Sequence, residues 1–163
     1  MYQLQSLFKS LADNKVKYLL CGGLAVNLYG IPRMTADVDL LIDWEKENIE
    51  KFEKVLKENS YQSNLYYQFS NLISATIRQQ MVKEKNLIAY SFTSDSLQQM
   101  ALDVIVDCAL DFESAWERKN TKQIGSTEVY VVSINDLIAL KEYANREQDK
   151  IDIINLKKFD RNV

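Results

Sequence analysis

The stretch from Val16 to Asp43 constrains the fold more than any other part of this chain. Val16-Lys17-Tyr18-Leu19-Leu20-Cys21 is an almost unbroken apolar run and reads as a mostly buried strand. Gly22-Gly23 breaks that strand, Leu24 to Tyr29 suits a short helix, and Gly30 closes it. Pro32 stops the helix from continuing through Ile31–Thr35. A second strand follows from Ala36 to Ile42, with Asp37 and Asp39 on one face and Val38 and Leu40 on the other.

These parts together form a device with a physical purpose. Glycines let the backbone approach a phosphate, and the helix that follows offers unpaired N–H groups. Two carboxylates on one strand face can share cations about 3.5–4 Å apart, the spacing of two-metal phosphoryl chemistry. Taken singly, Gly-Gly is an ordinary turn and Asp-x-Asp an ordinary solvated strand face. Their convergence on one triphosphate is what carries meaning.

The rest of the chain mixes helices and strands. Leu4, Leu7, Phe8 and Leu11 place an amphipathic helix over 3–13 that ends at Asn14. Ile49, Phe52, Val55 and Leu56 mark another over 45–58. The Tyr-rich stretch 61–69 reads as a strand, where Tyr61, Tyr66 and Tyr67 either pack on the sheet or stack a base. A helix over 71–83, strands over 87–92 and 99–107 around a polar turn, and a helix over 112–119 follow. A hairpin joins 122–124 to 129–132 around Gly125, and Ser133 caps a helix over 134–145 before a last helix over 149–159. This order predicts an α+β fold with a mixed or antiparallel sheet flanked by helices and followed by C-terminal helices. The expected organisation is a single domain, about 1–132 forming the α/β part and about 133–163 the helices.

Composition narrows the chemistry. The chain has no histidine, which removes Ser–His and Cys–His pairs and imidazole-bound zinc. Acid–base work falls to Asp, Glu, Lys or Tyr, and a metal site would be carboxylate-rich, favouring Mg²⁺ or Mn²⁺. Cys21 and Cys108 each lie in an apolar run and read as buried free thiols of a cytoplasmic protein. The net charge of −3 argues against a surface built for strong nonspecific nucleic-acid binding, though a local basic patch could still dock an RNA end. No membrane span or signal segment is expected.

In the helix after Ser133, Ile134, Leu137 and Ile138 define the apolar stripe, and Lys141 falls in the middle of it. A lysine aimed at the core must meet an anion or an aqueous cleft, or else pack its stem and send the ammonium outward.

The string from Cys21 to Asp43 resembles the nucleotidyltransferase motif of the DNA polymerase beta superfamily in its Gly-Gly form. The pattern Gly-Gly-x-Ala…Gly…Arg-x-Thr…Asp-x-Asp is similar to that of AbiEii-type nucleotidyltransferases and small relatives, and aminoglycoside and lincosamide nucleotidyltransferases share a related string. The resemblance implies a third metal-binding carboxylate on a neighbouring strand. Asp103 is favoured over Asp107, since it begins the buried run, although both share a strand face. It also implies nucleotide contacts from Gly22, Gly23, Arg33 and Thr35, with Arg33 alternatively paired to Asp43 or a nearby Glu. The string from Leu137 to Ile153 resembles a C-terminal Lys…Arg…Asp…Asp signature, which adds Lys141, Arg146 and Asp149. Helix-surface ion pairing is the competing account of Arg146 and Asp149.

The implied reaction is Mg²⁺-dependent attack of a hydroxyl on the α-phosphorus of a nucleoside triphosphate such as ATP. The acceptor would be RNA, tRNA, protein or a small molecule. Three roles compete: an active transferase of toxin–antitoxin type, a silent antitoxin-like module binding nucleotide or a cognate protein partner, and an antibiotic nucleotidyltransferase. AbiEii-type proteins carry a larger C-terminal helical region, so the resemblance leaves the acceptor open.

Overall fold

The computed structural model describes residues 2–63, 65–95 and 100–160. Helix α1 (Tyr2–Asp13) leads to β1 (Tyr18–Cys21), α2 (Gly22–Leu28), β2 (Asp37–Ile42) and α3 (Lys46–Glu58). After a 3-10 turn at Phe69–Ile73 come α4 (Ala75–Lys85), β3 (Ala89–Phe92), β4 (Ala101–Ile105) and α5 (Phe112–Glu117). The hairpin β5 (Asn120–Ile124) and β6 (Thr127–Val131) precedes α6 (Ile134–Ala144) and α7 (Glu147–Asp160).

The six strands form one mixed sheet in the order β3-β4-β2-β1-β6-β5. Strand β1 lies antiparallel to β2 and parallel to β6, while β2 and β4 are parallel. Every residue of β1 is buried, as its apolar run requires. Strand β2 alternates instead, with Val38 and Leu40 fully buried and Asp37 and Asp39 partly exposed. Asn48 ties α3 to this end of the sheet: its side chain accepts from the Lys17 N–H at 2.7 Å and donates to the Asp43 carbonyl at 2.8 Å. Among the described residues, no helix is long and apolar enough to cross a membrane.

The Tyr-rich segment is not a strand. Among its described residues only an isolated bridge, Gln62 to Thr93, has β character, and Asn64 lies outside the described residues. Aromatic packing decides this conformation. Phe69 sits 5.0 Å from the Tyr90 ring, 5.2 Å from Phe92 and 5.7 Å from Phe52, anchoring the 3-10 turn on the sheet. Tyr61 is buried and donates to the Met100 carbonyl at 2.8 Å, Tyr67 is half-buried, and Tyr66 is exposed. The helix expected over 71–83 is split at Ser74, whose Oγ accepts the Ile77 N–H at 3.4 Å and restarts the chain as α4. The strand expected over 99–107 is shorter, and its expected start, Gln99, lies outside the described residues together with part of the preceding turn.

Candidate active site

Register brings the acidic side chains together. Asp39 on β2 lies beside Cys21 on β1 and beside Asp103 on β4. Asp37 is two residues away on the same face of β2 and pairs in register with Ala101. Carboxylate oxygens of Asp37, Asp39 and Asp103 all lie within 4.8 Å of one another.

The diglycine opens into the same place. Gly22 has a φ of 64°, and a Cβ there would run into the Asp39 carboxylate. A Cβ on Gly23 would run into the Arg33 guanidinium and lie 2.6 Å from Thr35 Oγ1. The two glycines therefore leave the space that the Asp39 carboxylate and the Arg33 guanidinium occupy. Thr35 Oγ1 donates to Asp37 Oδ1 at 2.9 Å, so Thr35 orients a carboxylate. The Arg33 N–H is held by Asn27 Oδ1 at 2.7 Å.

These groups border a cavity of about 250 Å³ lined by Gly22, Gly23, Arg33, Asp37 and Asp39 from the first half of the chain. Its remaining walls include Ile88, Ile105, Asp107 and Cys108, with Leu137, Lys141, Tyr143, Arg146 and Asp149 from the C-terminal helices. Asp107 stands apart from the three clustered acids and accepts from the Tyr143 hydroxyl at 2.9 Å. Of the two candidate third carboxylates, geometry groups Asp103 with Asp37 and Asp39.

Lys141 is only 4% exposed and meets anions of the protein itself, Asp149 Oδ1 at 3.1 Å and Asp152 Oδ2 at 2.6 Å. Asp149 is buried, which replaces the expected surface pairing with a buried one; its second oxygen accepts the Arg146 N–H at 3.1 Å. The Arg146 side chain is exposed at the cavity and has no carboxylate partner among the described residues. Arg33 pairs with neither Asp43 nor a Glu: its Nε lies 3.4 Å from Asp152 Oδ2, while Asp43 is taken by Lys17 at 3.3 Å. Tyr143 received no role from the sequence, and Asp152 entered only as the last acid of the Lys…Arg…Asp…Asp signature, with no role assigned to it. Asp152 had a legible signal, its i,i+3 placement after Asp149 on one helix face.

The electrostatics follow from crowding. Burial, then the negative charges of Asp37 and Asp103, raise the Asp39 pKa to about 6. Burial pushes the thiols of Cys21 and Cys108 up as well, so neither is disposed to act as a thiolate nucleophile. Cys21 is buried as expected, and its Sγ donates to the Asp39 carbonyl at 3.4 Å, whereas Cys108 is only partly buried at the cavity wall.

The acids fit a divalent cation. Asp103 Oδ1 is buried and has no hydrogen-bond partner among the described residues, and a carboxylate oxygen withdrawn from water in this way is costly unless a cation meets it. The donor set is entirely carboxylate oxygen, which suits hard ions such as Mg²⁺ or Mn²⁺.

The sequence profile of the aminoglycoside-2''-adenylyltransferase family matches residues 3–156. No curated protein matches the chain. Among solved structures it is similar to the lincosamide antibiotic adenylyltransferase LnuA in its lincomycin-bound form. That match has 16% identity and a TM-score of 0.64, covering 98% of this chain and 97% of that one. The antibiotic-resistance factor ANT(2'')-Ia matches at 11% identity and a TM-score of 0.57, over 97% of this chain and 80% of the other. An antigenic nucleotidyltransferase-like protein from Paracoccidioides brasiliensis matches at 22% identity and a TM-score of 0.55, over 92% and 71%. These structural likenesses bear on the fold, a mixed sheet flanked by helices.

Proposed function

The chain belongs to the aminoglycoside-2''-adenylyltransferase family, and from that premise we propose that it transfers a nucleoside monophosphate from a triphosphate to a hydroxyl of a small-molecule acceptor, with Mg²⁺ or Mn²⁺ held by Asp37, Asp39 and Asp103. The protein is a nucleotidyltransferase. The observation that carries the proposal is the convergence of three carboxylates on the space left open by Gly22. An antibiotic-type acceptor is the specific form favoured here. The family supports it, as do the lincosamide and aminoglycoside enzymes that share the fold.

In this reading Gly22 and Gly23 present backbone N–H groups to the phosphates, and Arg33, Lys141 and Arg146 add positive charge along the cavity wall. A divalent ion held by the three acids supplies charge that offsets the build-up on the phosphate oxygens. The acceptor oxygen bonds to the α-phosphorus, the α–β phosphoanhydride bond breaks, and pyrophosphate leaves. Asp103 is assigned the hydroxyl proton. Thr35 keeps Asp37 aimed inward throughout.

The test incubates the protein with each of the four α-labelled triphosphates, Mg²⁺, and either lincosamides, aminoglycosides or total cell extract. Label on a small molecule supports the proposal. Label on RNA or protein moves the acceptor to those classes, and a chain that binds no nucleotide at any Mg²⁺ level sinks the reading.

Two further outcomes follow. Five carboxylates border or adjoin the cavity, at Asp37, Asp39, Asp103, Asp107 and Asp149, while Lys141 and Arg33 already face carboxylates. Nucleotide affinity, measured by calorimetry, is therefore expected to fall at least about 100-fold in EDTA. A proton on Asp39 also competes with the metal. Mg²⁺ affinity is expected to hold above about pH 6 and to drop by about tenfold per unit below it, with one proton released per ion bound. A flat profile from pH 5 to 8 would remove Asp39 from the ligand set.

A further inference from the structure

Four charged side chains meet at the cavity wall, three lining it and one behind them. Lys141 comes from α6, Asp149 and Asp152 from α7, and Arg33 from the loop before β2. Asp152 is 1% exposed and does not itself line the cavity, yet one of its oxygens serves two cations that do. Its Oδ2 lies 2.6 Å from Lys141 Nζ and 3.4 Å from Arg33 Nε, while its Oδ1 accepts from Gln148 Nε2 at 3.0 Å. Arg33 is pinned from the other side as well, since its guanidinium fills the space beside the Gly23 α-carbon.

We infer that Asp152 is a positioning residue for the triphosphate: it fixes Lys141 and Arg33 relative to the diglycine while touching no substrate itself. The inference rests on the triphosphate reading of the cavity. Stability alone does not account for the arrangement. A buried ionic cluster loses solvation that its pairing barely restores, and apolar residues of similar volume hold a core as well. Asp149 already gives Lys141 a partner at 3.1 Å, so a second carboxylate is not needed to neutralise that lysine. Among the described residues, what Asp152 alone does is join Lys141 to Arg33. It thereby links α6, α7 and the Asp-x-Asp approach loop at the place where the glycines open. Even so, the Arg33 Nε is buried without a hydrogen bond among the described residues, so Asp152 holds it by charge alone and the guanidinium is short of a full set of partners.

The experiment reads binding of inorganic tripolyphosphate with Mg²⁺ by calorimetry, a probe that needs neither the right base nor the acceptor. The wild-type chain is expected to bind it. Asp152→Asn, which keeps the shape and leaves Lys141 its Asp149 partner, is expected to bind at least about tenfold more weakly. Gln148→Leu leaves all four charges in place and frees only the far oxygen, and a loss of about threefold is expected. In a cycle with Arg33→Gln, the double variant is expected to lose less than the product of the two single losses, because Asp152 acts through Arg33. Thermal melts establish that each variant is folded at the temperature of measurement; should Asp152→Asn fail that check, Gln148→Leu decides. Folded variants that bind tripolyphosphate as the wild type does, or losses that simply multiply, make Asp152 a structural residue and overturn the inference. Failure of the wild type to bind the probe would instead overturn the triphosphate reading beneath it.

Discussion

Replacing Asp39 with asparagine is expected to abolish transfer and, at the same time, to raise the melting temperature of the metal-free protein at pH 8. Both effects come from one carboxylate. Asp39 stands between its register partners Cys21 and Asp103 and beside Asp37, so it is the centre of the acidic cluster. Asparagine keeps the size, leaves the Cys21 bond to the backbone carbonyl undisturbed, and removes only the charge that a divalent ion needs. Loss of a central metal ligand is expected to lower the rate at least about 1,000-fold, on the order of 4 kcal/mol of transition-state stabilisation. The stability effect has the opposite sign. Asp39 has a folded pKa of about 6 against 3.8 for an unperturbed aspartate. Its stabilising contribution is therefore complete below about pH 4 and is lost as the pH rises through 6. Asparagine does not titrate, so its advantage opens across that window and stays constant above it. The advantage is on the order of 2–3 kcal/mol at pH 8, or roughly 5–10 °C for a domain of this size. Paired melts in EDTA at pH 4 and pH 8, with transfer assayed in Mg²⁺, check both halves. An asparagine variant that melts lower at pH 8, or keeps a tenth of the activity, contradicts the account.

How much of this was legible beforehand depended on whether a feature was local. The alternation of Asp37, Val38, Asp39 and Leu40 fixes which side chains share a face, because strand geometry has period two wherever the strand lies. The diglycine was legible for a similar reason: a positive φ and a close approach demand it at its own position. The choice between Asp103 and Asp107 was not. Both sit on one face of the predicted strand, and the difference arises from where β4 ends, at Ile105, and from Tyr143 reaching across to take Asp107. Lys141 was correctly picked out as a cation in an apolar stripe, but its partners lie on the next helix, beyond what helix periodicity describes. The Tyr-rich segment misled because β propensity counts aromatic residues without knowing what they pack against. Here Phe69 and Tyr67 pack their rings on Tyr90 and Phe92 of β3, and the backbone follows them.

Gly22→Ala is expected to be the most damaging single methyl group that can be added to the chain's glycines. Gly30→Ala is its natural comparison. Both positions have a positive φ, 64° at Gly22 and 87° at Gly30, so both alanines carry backbone strain of about 1–2 kcal/mol. Their surroundings differ. Among the described residues, a Cβ at Gly30 meets only the Phe159 ring at 3.9 Å, an ordinary contact, whereas one at Gly22 enters the Asp39 carboxylate. Asp39 cannot yield cheaply, because its backbone is held in register by β1 on one side and β4 on the other. The carboxylate must swing out of the cluster or the strands must part. Gly22→Ala is thus expected to lose transfer at least about 100-fold and to bind Mg²⁺ more weakly, whereas Gly30→Ala loses stability of about 1–2 kcal/mol and keeps its activity. Melting curves compare the shared strain, and transfer rates with Mg²⁺ titrations isolate the collision. If the two alanines cost the same in both measurements, then Asp39 does not need the space that Gly22 leaves open. The diglycine would then serve the chain as a turn alone, and the acids beside it would owe their position to strand register without any help from the glycines.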